Sequence, residues 1–285
     1  MKNTQLWLIG ATTEINLQDP TNAMYLKPPL EGLTGLPEIR VAQGNNVGKD
    51  GGWTGKGLFE PRFIAALVQI AHPDVAVVEQ KRRELATLLA EQNLRLRYVT
   101  EGGSTYTTKV RVLGAPAPLE QLLTKVLIKV NLKADDPLLY DYNSEGGGIV
   151  ATLPVRVPTG GFEIPFEFPL IIDGGDPTVN VINSGTSTVA PIITLYGPLH
   201  EPKVVNQTTN QQIQILADLS ADDVLVMNTA LETVTLNGLD VYYLMSEESQ
   251  FIDINAGANA MYLESNNAGD AGYGEIEYNS GFIGT

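Results

Sequence analysis

The chain has 285 residues, 43% of them hydrophobic, which excludes a disordered protein and supplies core for one large or two ordinary domains. It contains no cysteine, so disulfides, thiolate metal sites and a cysteine nucleophile are excluded. Residues 1–141 carry 16 Lys plus Arg against 15 Asp plus Glu, whereas residues 142–285 carry only Arg156 and Lys203 against 18 acids. That break predicts two folded units, 1–141 and 142–285, the second acidic enough to repel nucleic acid and anionic membrane.

The opening stretch, MKNTQLWLIGATTE, holds one lysine and a short apolar run from Leu6 to Ala11. It is too short for a signal peptide, and no stretch approaches the ~18 apolar residues of a membrane span. A soluble chain without the usual export signal or a membrane span is expected. Next comes GNNVGKDGGWTGKG (44–57), with six glycines. Gly44 and Gly48 enclose three residues where a phosphate loop needs four, and Asp50 follows Lys49 where a hydroxyl is required. Gly51 to Gly55, followed by Lys56, is also one residue short and ends in Gly57. The stretch therefore reads as a glycine-rich excursion between strands.

DVAVVEQKRRELATLLAEQN (74–93) places Val78, Leu85 and Leu89 on one helical face, with Asp74 able to cap the start. Leu94, Leu96 and Tyr98 then alternate with polar residues, as do Thr108, Val110 and Val112 after the turn at 101–104. Val126, Ile128, Val130 and Leu132 give a third strand. Its outer face, with Lys125, Lys129, Asn131 and Lys133, is expected to guard a sheet edge. Asp136–Pro137 ends it in a turn.

The acidic half reads as strands and turns. GFEIPFEFPL (161–170) alternates Phe162, Ile164, Phe166 and Phe168 with Glu163, Pro165 and Glu167, a pattern for an edge or bulged strand. Asn237–Gly238 suits a type I′ hairpin turn. Short runs at 148–157, 178–183, 190–196, 202–206, 211–216, 223–228, 258–264 and 274–278 argue for a β-sandwich.

No catalytic set emerges. His72 and His200 belong to no metal-spaced pair, and His72-Pro73-Asp74 reads as the lead-in to the helix. GTSTV (185–189) lacks the last glycine of a nucleophile elbow, leaving Ser187 an ordinary serine. Glu163 and Glu167 would sit ~13 Å apart on a strand, too far for a glycosidase pair unless their side chains lean together. DGGD (173–176) and DLSADD (218–223) lack the ligand order of an EF-hand, although a sandwich can assemble a calcium site from distant loops. Tyr242 and Tyr243, adjacent in an expected strand, would face opposite ways and form no sugar platform. The reading is that no enzyme, cofactor or metal is involved, and a structural or binding role is favoured.

The order of motifs resembles the distal tail proteins of long-tailed, non-contractile bacteriophages over nearly the whole length. The matching elements begin with INLQD, AMYL and GLTGLPEIR, then a glycine-rich loop with KDGG and LFEPRFIAALVQI (58–70). They continue through the helix with Arg82, Arg83 and Glu84, the two-strand hairpin and LKADDPLLYD. In the second half VINSGTSTVAPIITLYG, PKVVNQTTNQQIQI, DDVLVMNT, VTLNG and the closing EIEYNSGFIG match.

The resemblance implies a mainly β fold, with an N-terminal β-barrel-like domain carrying one helix (1–141) and a C-terminal galectin-like β-sandwich (142–285). It implies a homohexameric ring at the virion's tail tip, made in the host cytoplasm and working in host attachment as a baseplate hub. Its partners would be the tail tube protein, the tail-associated protein and the tape measure protein, with no sequence-specific nucleic-acid contact. On this reading the glycine-rich excursion is an arm that packs on a neighbouring subunit, with Trp53, Lys56, Phe59 and Arg62 as candidate interface residues. The alternative is a free-standing, two-domain carbohydrate-binding protein; a sandwich glycoside hydrolase rests only on Glu163 and Glu167.

Overall fold

The computed structural model describes residues 4–114, 118–142 (119–121 by backbone only), 148–156, 178–267 and 269–284. The chain divides into two compact units, Met1–Tyr142 with Phe282–Thr285, and Asn143–Gly281. GFEIPFEFPL with Glu163 and Glu167, and the acids of 173–176, lie outside the described residues.

The first unit opens with β1 (Gln5–Ile9), β2 (Glu14–Asn16), β3 (Met24–Glu31), β4 (Ile39–Asn45), β5 (Gly52–Phe59) and β6 (Arg62–Ala71), of which β1 and β6 carry a clear apolar alternation. Helix α1 (Val75–Ala90) follows, then β7 (Asn93–Val99), β8 (Thr105–Val112), β9 (Pro118–Leu122), β10 (Lys125–Ala134) and β11 (Leu139–Asp141). Asp74 caps α1 as expected, its carboxylate accepting from the Ala76 amide at 2.9 Å. The Asp74 amide in turn donates to His72 Nδ1 at 3.0 Å, so His72 serves the helix start. Val78, Leu85, Leu88 and Leu89 are the helix's buried stripe.

The main sheet runs β2-β1-β7-β8-β10-β6-β3, with β9 beside β10 and β11 beside β8. An isolated bridge between Asp19 and Met24 closes the turn that connects β2 to β3, the strands at the two ends of that path. Strand β10 is not an edge: it pairs with β6 along ten residues and with β9 and β8 on its other side. The expectation that its lysines guard an edge is therefore corrected. Lys133 instead meets Asp135 at 2.6 Å. The chain returns at β22 (Gly281–Phe282), beside β11, where Phe282 packs edge-to-face on Tyr106 at 5.1 Å.

The second unit contains β12 (Ile149–Arg156), β13 (Val179–Asn183), β14 (Ile192–Tyr196), β15 (Lys203–Asn206) and β16 (Gln211–Gln214). After these come β17 (Val224–Asn228), β18 (Thr233–Leu236), β19 (Leu239–Asp240), β20 (Gly257–Glu264) and β21 (Tyr273–Tyr278). One sheet runs β12-β21-β14-β17-β18-β19 and the other β16-β15-β20 with β13, joined by a short parallel pairing of β12 with β20. Leu153, Ile193, Leu195, Leu225 and Ile276 of the first sheet are buried, as are Val181, Val204, Ile213, Met261 and Leu263 of the second. This is a β-sandwich core. Asn237 (φ 51°) and Gly238 (φ 82°) both take the left-handed conformation that a type I′ turn requires.

Candidate functional site

Among the described residues, strands β4 and β5 pair with each other alone and form a separate two-stranded sheet. Both strands are exposed throughout except Gly44. The turn between them closes through the Asn46 amide and the Gly51 carbonyl at 3.0 Å. The stretch 44–57 is therefore not a loop but the distal part of a β-hairpin arm. Three of the four candidate interface residues, Trp53, Lys56 and Phe59, lie on it and face solvent.

The register explains how the arm distributes its side chains. Ile39 faces Phe59 and Val41 faces Gly57, but Gln43 faces Thr54, so β5 spends three residues where β4 spends two. This bulge shifts the alternation of β5. Ile39, Val41 and Phe59 share one face near the root, while Trp53 lies beyond the bulge on the other face, opposite Gly44. The Trp53 ring lies across that glycine: a Cβ on Gly44 would stand 2.9 Å from the indole nitrogen. Only glycine allows so close an approach. Trp53 remains 54% exposed, and Val47 at the tip is fully so. Apolar side chains on both faces of an unsupported hairpin mark an interaction surface. Its charges are Arg40, Lys49 and Lys56 against Asp50.

Arg62 requires a correction. It is only 2% exposed and points into the first unit, so it offers nothing to a neighbouring carboxylate. Its Nε donates to the Pro137 carbonyl at 3.0 Å and its Nη1 to the carbonyls of Gly32 (2.7 Å) and Gly35 (2.9 Å). Nη2 donates to the Ile283 carbonyl at 2.5 Å. Burial pushes its pKa down, yet an arginine keeps its charge, which four carbonyl dipoles stabilise. Gly32 and Gly35 precede the arm and Arg62 follows it, so one guanidinium ties together the chain on both sides of the hairpin. The Glu60 amide adds a bond to the Glu38 carbonyl at 2.8 Å, and Arg40 meets Glu60 at 3.3 Å. The arm is exposed but its root is fixed.

The second unit holds a cluster that sequence reading missed. His200 Nδ1 lies 2.8 Å from Asp270 Oδ1, and the His200 amide donates to Asp270 Oδ2 at 2.8 Å. The Ser265 hydroxyl also donates to Asp270. Burial raises the pKa of Asp270, whose side chain is 2% exposed, but the bonds from Ser265 and His200 outweigh it and hold the carboxyl below its usual value. The connectivity is that of a loop clasp. The carboxylate sits between serine and histidine, whereas nucleophilic catalysis needs the histidine beside the serine.

The remaining candidates are placed plainly. Ser187 forms an isolated bridge with Gly281. Asp223 of DLSADD accepts from the Ser220 amide and from Asn237 Nδ2, each at 2.8 Å, and so braces the β18–β19 turn. Among the described residues no group of three or more His, Cys, Asp or Glu is placed to hold a metal. Tyr242 and Tyr243 do not lie in a strand. The Asp240 carboxylate accepts from the Tyr242 amide at 3.0 Å and starts a 3-10 turn, Tyr242–Leu244. The alternation argument against a sugar platform thus fails, and Tyr243 is 79% exposed.

Comparison with known proteins agrees with this architecture. Residues 184–282 match the family model described as the C-terminal domain of the siphovirus-type tail component. The crystal structure of SPP1 Dit, described as a paradigm of the hub adsorption apparatus in phages infecting Gram-positive hosts, superposes with a TM-score of 0.66. Identity is 12%, and the match covers 97% of this chain and 99% of that one. The phage P2 baseplate in its activated conformation with Ca gives a TM-score of 0.48 at 12% identity, covering 96% and 97%, a likeness too weak to argue from. No curated protein matches the chain. Residues 184–282 thus match the siphovirus-type tail component C-terminal domain, in a chain that shares the fold of SPP1 Dit over nearly its whole length.

Proposed function

We propose that this protein is a structural component of a phage tail tip, where six copies close into a ring through arms exchanged between first units. In the virion the ring joins the tail tube to the tail-associated host-recognition protein, close to the tape measure protein, and serves as a baseplate hub without catalytic activity. The family match and the shared fold support the tail assignment. The observation that carries the ring is the β4–β5 arm, apolar on both faces, exposed and anchored at its root by Arg62. Among the described residues the arm stays exposed along both strands, and an isolated two-stranded hairpin is marginal in water.

Electron microscopy and mass measurement of the purified chain should show closed six-copy rings. Replacing 44–57 with a short Gly-Ser turn should leave melting unchanged and give monomers. An arm-less variant that still forms rings would rule out arm exchange. One that melts far lower would mean the arm supports its own fold. The exposed Tyr243 is the observation that favours the carbohydrate-binding alternative. Glycan-array binding lost on Tyr243→Ser would establish it.

A further inference from the structure

We infer that the arm of one copy docks on the next copy in the groove between α1 and the β9–β10 turn. This rests on the arm-exchange ring proposed above. A ring built from arms is head-to-tail, so every copy needs a receiving surface distinct from its arm. Among the described residues of the first unit, the large exposed apolar side chains from Leu36 to Phe63 belong to the arm or its root. Outside them remain Leu113, Leu122 and Leu123. Leu122 is 57% and Leu123 80% exposed, an unusual state for leucines in a folded unit. Together with Val75, Val78, Glu79, Arg82 and Val126 they line an open groove of about 560 Å³. That is room for an indole and the backbone flanking it.

Topology gives the direction of the contact. Along the β6–β10 ladder, Arg62 pairs with Ala134 at the root of the arm, and Ile70 pairs with Val126 at the groove. Eight residues at ~3.3 Å each put about 26 Å between the two surfaces. An arm leaving one end of a subunit can therefore reach a groove at the far end of the next, and repeating that contact head to tail closes a ring. Charge agrees as well. The arm presents Lys49 and Lys56 beside Asp50, and the groove presents Glu79 beside Arg82, so each surface offers both signs to the other. The occupant is thus a second copy of this chain, with Trp53 as the group that enters the groove.

The test uses the full chain with Trp7→Phe, which leaves Trp53 as its sole tryptophan. Emission and particle mass are followed together in a dilution series. Trp53 emission should move to the blue as mass rises to that of the ring. Leu122→Ser with Leu123→Ser should shift both transitions to about ten- to hundred-fold higher concentration without lowering the melting temperature. In the otherwise cysteine-free protein, a short bis-maleimide should join Thr54→Cys of one copy to Leu123→Cys of another. Rings that form unchanged in the serine variant, or that give no 54–123 cross-link, overturn the groove and leave arm exchange standing. A chain that stays monomeric with unshifted Trp53 at every concentration overturns both.

Discussion

Two buried charges show what single residues do here. Arg62 supplies four hydrogen bonds to backbone carbonyls from three separate stretches of the chain. Bonds to a charged group contribute ~1.5–3 kcal/mol each. Arg62→Met should therefore cost roughly 3–5 kcal/mol of stability, read by chemical denaturation. Arg62→Lys should rescue little, because an ammonium cannot reach carbonyls arranged around a planar fork. A cost under about 1 kcal/mol for either variant would show that the clamp is dispensable. Asp270 gives a pH signature instead. Its folded pKa lies below the ordinary 3.8, so its contribution is complete above that value and is lost as pH falls through the folded pKa. Asp270→Asn should lower stability by about 1–3 kcal/mol near neutrality, with the gap to wild type closing only in acid below about pH 4. A gap that widens on acidification would refute the clasp.

At the scale of elements, what was legible followed local periodicity. Helix α1, strands β7, β8 and β10, and the Asn237–Gly238 hairpin announce themselves through apolar spacing and turn chemistry, and the structure has them all. The eight short runs of the acidic half that were expected as strands are strands. The excursion at 44–57 was legible as an arm but not as paired strands, because its six glycines suppress the strand signal. Those strands form because β4 offers a pairing edge, not because β5 has intrinsic propensity. The signal for Arg62 was present: it stands in phase with Ile64, Ala66, Val68 and Ile70, the buried face of β6. An arginine on an inward alternation is a buried clamp until shown otherwise. For Asp270 no local signal existed, since its partner His200 lies 70 residues away. The stretch Val241–Tyr243 failed for the opposite reason: its composition favours a strand, but the Asp240 side chain captures the amide two residues on, that of Tyr242, and turns the chain.

At the scale of the molecule, the path of the chain has a consequence that charge alone does not predict. The first unit is discontinuous, since Phe282–Thr285 belong to it after an excursion through Asn143–Gly281. The last residues are structural: Phe282 packs on Tyr106, and the Ile283 carbonyl accepts from the buried guanidinium of Arg62. Ending the chain at Gly281 removes one charge-assisted bond, worth ~1.5–3 kcal/mol, and an aromatic contact worth ~0.5–1.5 kcal/mol beyond its buried area. A loss near 3 kcal/mol should lower the melting of a unit this size by about 10 °C. The second unit keeps all its strands and its balance of 2 basic to 18 acidic residues, so its own transition should not move. Six such units packed side by side would repel strongly across a Debye length of ~8 Å, which favours the near-neutral first unit as the ring-former. Calorimetry should then resolve a lowered transition and an unchanged one, and mass measurement should show weakened rings, because the same guanidinium holds the root of the arm. A truncated chain with both transitions unmoved and rings intact would show that the returning tail contributes nothing to the first unit.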